Sequence, residues 1–91
     1  MKLEIDVERM KSIYGDEIID VMSSNEDIIR KNIQTLEKLK FNDISDFVER
    51  CIDVFMYYPK DFENKINKLI QELGVNYVEI IENDINYIQN I

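Results

Sequence analysis

A chain of ninety-one residues with a formal net charge of −8, a pI near 4.4 and no histidine is constrained before any single position is read. Its length allows one domain with a small core, and 45% hydrophobic beside 33% charged residues, with only two Gly and one Pro, excludes a disordered polypeptide. The acidity opposes unaided binding to nucleic acid, which rests on Lys and Arg displacing counterions, and the lack of His removes the side chain most used for proton transfer near neutral pH.

The compartment is read from similar exclusions. No apolar run approaches the ~18 residues of a spanning helix, so no membrane contact is expected, and the opening stretch MKLEIDVERM has no basic region followed by an apolar one. A cytoplasmic location is the expectation. Cys51, the single cysteine, has no internal disulfide partner, which fits a reducing environment and leaves hydrophobic packing to hold the fold. Sixteen Ile and nine Asn, with no Ala at all, point to AT-rich codons and so to a low-GC bacterium, phage or mobile element. In that setting Ile carries little information about strands.

Taken in chain order, Leu3, Ile5 and Val7 alternate with charged residues at the period of a strand, which would need a partner to pair with. Val7, Met10, Ile13 and Tyr14 have helical spacing and predict a short helix broken at Gly15, followed by another through Ile18, Ile19, Val21 and Met22. Ile29, Ile33, Leu36 and Leu39 predict a helix over 28–39, capped by Ser24 or Asn25, with Glu26 and Asp27 near its positive end. The stripe Ile44, Phe47, Val48, Cys51, Ile52 and Phe55 predicts one helix over 43–57, with Asn42 or Asp43 accepting its first free amides. Phe62, Ile66, Leu69, Ile70 and Leu73 predict a helix over 60–73, opened by Pro59 and closed by Gly74. Val78, Ile81, Ile85 and Ile88 form the last, after Asn76. The fold class expected is therefore all-α, a small bundle or short stack of about six helices arranged as helical hairpins in a single domain over 1–91.

Three stretches overlay with equal spacing: Met10–Ile13–Gly15–Ile18–Val21, Leu36–Leu39–Phe41–Ile44–Phe47 and Ile70–Leu73–Val75–Val78–Ile81. Each reads as helix, short turn, helix, as in stacked hairpin units, although any two amphipathic helices joined by a turn overlay in part. Residues 28–91, through Phe55-Met-Tyr-Tyr-Pro-Lys-Asp-Phe62, Ile66, Leu69, Leu73 and Gly74 and on to Val78 and Ile81, resemble the mitochondrial transcription termination factor repeat. In that family a proline opens the unit, a leucine-rich helix ending in Leu-Gly follows, and then an aliphatic helix. The resemblance implies stacked helices and nucleic-acid binding along a basic concave face.

Charge is uneven: residues 1–29 carry eight acids and three bases, residues 30–68 seven and eight, and residues 69–91 four acids and no base. Two functional readings follow. In the first, acids at Asp16, Glu17 and Asp20, at Asp43, Asp46, Glu49 and Asp53, and at Glu79, Glu82 and Asp84 present an acidic surface to a basic protein partner and steer its approach. Small acidic proteins of phages and mobile elements that inhibit host nucleases or CRISPR effectors are similar in this general character. In the second, Arg30, Lys31, Lys38, Lys40, Lys65 and Lys68, with Lys60, align on stacked helices and bind nucleic acid. For both, the plain rival is a solvated face that only confers solubility.

Catalysis is not expected. Cys51 lies on an apolar stripe and lacks a base, no Gly-rich phosphate loop is present, and there is no His or second Cys for zinc. The Asp43, Asp46, Glu49 series lacks the glycine turn of a calcium loop, so no cofactor or metal is assigned. Val54, Phe55, Met56, Tyr57 and Tyr58 are apolar or aromatic all round. Either neighbouring helices cover them, or Met56, Tyr57 and Tyr58 stay partly exposed as an interaction patch. Tyr87, Ile88 and Ile91 raise the same question for self-association.

Overall fold

A computed structural model describes residues 6–91, and the strand expected from Leu3 and Ile5 lies outside them. Val7, the third residue of that alternation, instead opens a helix. The described residues are all-helical, in eight helices: α1 Val7–Tyr14, α2 Ile18–Ser24, α3 Glu26–Lys38, α4 Ile44–Arg50, α5 Ile52–Phe55, α6 Pro59–Leu73, α7 Tyr77–Asn83 and α8 Asn86–Gln89. The radius of gyration, 12.8 Å, is close to the ~12 Å of a folded globule of this length.

The count exceeds six because two expected helices are split. The helix over 43–57 breaks at Cys51, whose φ of −129° and ψ of 42° leave helical values, giving α4 and the single turn α5. The last helix breaks at extended Asp84, giving α7 and α8. The caps expected from side chains also differ. Asp43 and Asn25 precede α4 and α3 but neither side chain accepts a first-turn amide; the Asn25 amide group instead donates back to the Val21 carbonyl at 2.8 Å. Side-chain acceptors are found instead at α1, where Asp6 accepts from the Arg9 amide at 3.0 Å, and at α8, where Asp84 Oδ1 accepts from the Asn86 amide at 3.1 Å.

Three helix–turn–helix hairpins are present, α1–α2, α3–α4 and α6–α7. A left-handed residue sits in each turn: Gly15 at φ 93°, Lys40 at φ 69° and Gly74 at φ 82°. Glycine adopts this conformation freely, whereas Lys40 does so against the steric preference of a side chain. The overlay does not extend to burial, since Phe41 is buried while Val75, at its equivalent place, is 95% exposed.

The core gathers around α3, which packs on α6 and also meets α2, α4 and α5. Leu36, Phe47, Val48, Ile52, Phe55, Phe62, Ile66 and Ile81 are nearly or wholly excluded from solvent, and the Phe55 and Phe62 rings stand 5.4 Å apart. The 3.6-residue period of each stripe turns these side chains to one line along each helix, and the hydrophobic effect drives those lines together. Asn32 is buried among them. Its Nδ2 donates to the carbonyls of Phe55 and Tyr57 at 2.7 and 2.8 Å, which ties the α5–α6 link to α3.

Candidate protein-binding surfaces

The turns of the second and third hairpins meet. The Tyr77 hydroxyl donates to the Leu39 carbonyl at 3.3 Å, the Phe41 ring lies edge-on to Phe47 and Tyr77 with centroids 5.9 Å away in each case, and Glu82 Oε1 accepts from the Asn42 amide and side chain at 3.2 and 3.3 Å. These contacts hold α7 beside the start of α4 and leave an open groove of about 510 Å³. Asp43, Glu79 and Glu82 line it together with Val75 and Val78. Among the described residues none of these three acids makes a salt bridge, and no Lys or Arg lines the groove. Carboxylates around an exposed apolar residue form a surface suited to a cationic side chain with an aliphatic stem.

The acidic series on the fourth and fifth helices is divided by the fold. Asp43 joins the groove, while Asp46 is held by Arg50 Nε at 3.2 Å and Arg9 Nη1 at 3.8 Å. Glu49 is buried, 7% exposed, with Arg9 Nη1 3.4 Å from its Oε1. Glu49 is therefore not a surface group as the spacing suggested, because the docking of α1 covers it. Asp53 is exposed but lies beyond the break at Cys51, so it does not share a helix face with the others. Asp16, Glu17 and Asp20 are all exposed around the α1–α2 turn, with no salt bridge among the described residues.

The basic residues are also distributed by the fold. Arg30 is occupied by Glu26 and Asp27 on its own helix, at 3.4 and 3.3 Å. Lys31 and Lys38 are exposed on α3 and Lys40 is exposed in its turn. Lys65 stands over the Tyr57 ring, 5.6 Å from its centre, a favourable cation–π distance. Lys65 and Lys68 line a cleft of about 560 Å³ with Leu69, Tyr87 and Ile91, but Glu72 and Asp84 line it too. The aromatic patch is partly open: Tyr58 is 71% exposed, Tyr57 38%, and Met56 half-buried, while Val54 and Phe55 are in the core.

Sequence reasoning missed the groove because its members come from two hairpins, more than thirty residues apart in the chain. The signal present was Val75, an apolar residue in the short turn after Gly74. It also missed Arg9 and Tyr14 as the ties between α1 and α4. Tyr14 donates to the Glu49 carbonyl at 2.7 Å, and burial raises its phenol pKa above the ordinary value. Burial likewise pushes the Cys51 thiol up, so the thiolate that a nucleophile needs is disfavoured at neutral pH. Among the described residues no helix is long and apolar enough to cross a membrane. No family model, no curated protein and no solved structure matches the chain.

Proposed function

We propose that this chain is a non-enzymatic, cytoplasmic protein-binding module that offers acidic surface to a basic partner, in the manner of a small inhibitor from a phage or mobile element occupying the basic channel of a nucleic-acid-handling enzyme such as a CRISPR effector. The observation that carries this reading is the groove of Asp43, Glu79 and Glu82 around exposed Val75, with no cation lining it among the described residues. A basic segment entering it would exchange water for charge-assisted contacts at the rim and bury the valine. The exposed acids at Asp16, Glu17 and Asp20 would add long-range steering.

A second reading is supported by a separate observation. The packed pair α3 and α6 carries exposed Lys31, Lys38, Lys65 and Lys68, none in a salt bridge among the described residues, and the resemblance to mitochondrial transcription termination factor repeats favours nucleic acid as their ligand. Fluorescence anisotropy with a labelled Lys/Leu-rich peptide and a labelled single-stranded DNA separates the two. Binding of the peptide that weakens about tenfold in D43K/E79K/E82K, three rim contacts at roughly 0.5 kcal/mol each, supports the acidic groove. Unchanged peptide affinity in that variant removes the groove as the site, and DNA binding abolished by K31E/K38E/K65E/K68E supports the second reading.

A further inference from the structure

We infer that α1–α2 is an exchangeable unit, and that the surface of α4 carrying Asp46 and Glu49 takes the hairpin of a second copy of this chain as readily as its own. The geometry of the α2–α3 junction points to this. One residue, Asn25, separates the two helices, and its φ of −116° and ψ of 19° lie nearer to helical values than to the extended backbone usual before a helix. No Gly or Pro occurs between Gly15 and Pro59, so nothing in the covalent chain prevents 18–38 from running as one helix.

The break costs backbone hydrogen bonds that a continuous helix would make. Glu26, Asp27 and Ile28 are the first three residues of α3, whose amides have no partner within their own helix, while Ile29 bonds back to Asn25. Straightening the junction would give those three amides the carbonyls of Met22, Ser23 and Ser24. What opposes it locally is the Asn25 side-chain bond to the Val21 carbonyl and the placement of Glu26 and Asp27 in a helix first turn, where acids are favoured. With 18–38 continuous, α1 swings away from its own α4. The contacts it leaves, Arg9 with Asp46 and Glu49 and Tyr14 with the Glu49 carbonyl, are recovered only on the α4 of another copy. This is domain exchange through a short hinge, and the resulting dimer carries the acidic groove twice.

Sedimentation of N25A and N25G tests the hinge. Both lose the Asn25 side-chain bond, but Ala favours a continuous helix and Gly disfavours it. N25A is expected to dimerise about tenfold more tightly than the parent chain, the propensity difference between Asn and Ala counted once per copy, and N25G less tightly than N25A. The exchange itself is read in R9C/D46C on a C51S background, with N25A added, after treatment with a short bismaleimide. Covalent dimers in proportion to the dimer in solution support exchange. An N25A chain that stays monomeric at high concentration, or dimers in which only links within one chain form, would overturn it.

Discussion

The α3–α5–α6 centre and the α1–α2 hairpin differ in size, the centre having about twice as many helical residues, and they are held by different forces. The centre buries Leu36, Ile52, Phe55, Phe62 and Ile66 almost completely, whereas the hairpin buries only Met10 and Ile18 and leaves Val7, Ile13 and Val21 each more than 40% exposed. Area removed from water scales with stabilisation and needs no particular angle. The hairpin depends instead on a few directional contacts, Arg9 to Asp46 and Glu49 and Tyr14 to a carbonyl. A protein made this way should lose its parts in order, hairpin first.

The comparison breaks most sharply at Phe55. F55A removes a fully buried ring packed on Phe62 and should cost about 3–5 kcal/mol, read as a shift of the whole urea transition; loss confined to one region would show that the centre is not the cooperative unit. N32A should come next, at about 2 kcal/mol. It leaves the Phe55 and Tyr57 carbonyls without their donor, and hydrogen exchange should show faster amides around the α5–α6 link.

R9A sharpens the comparison at the small end. Arg9 is partly solvated, its side chain 41% exposed, so the expected loss is about 1 kcal/mol despite the burial of Glu49. Amide exchange should accelerate through α1 and α2 and stay unchanged in α6. A uniform acceleration across both regions would mean that the hairpin does not open separately.

Legibility followed the strength of the local signal. Pro59, the stripe Phe62–Ile66–Leu69–Leu73 and Gly74 define α6 nearly to the residue, because its start, face and end are each encoded by a residue type with one strong preference. The acids gave less. Asp43, Asp46 and Glu49 share a spacing, yet one lines a groove, one bridges two arginines and one is buried, since what faces a helix from another element does not appear in its own period.

By itself the sequence determined that the described residues are helical, where the hairpins turn and which side of each helix is apolar, all consequences of backbone preference and the 3.6-residue repeat acting over short range. Only the tertiary structure decided that the helices break at Cys51 and Asp84, where neither Gly nor Pro demands it, that Glu49 goes inside, and that Asp43 meets Glu79 and Glu82. Those outcomes depend on fitting eight short helices around one small core, where burying Leu36, Phe47 and Phe55 together outweighs the few backbone bonds that a straighter chain would keep.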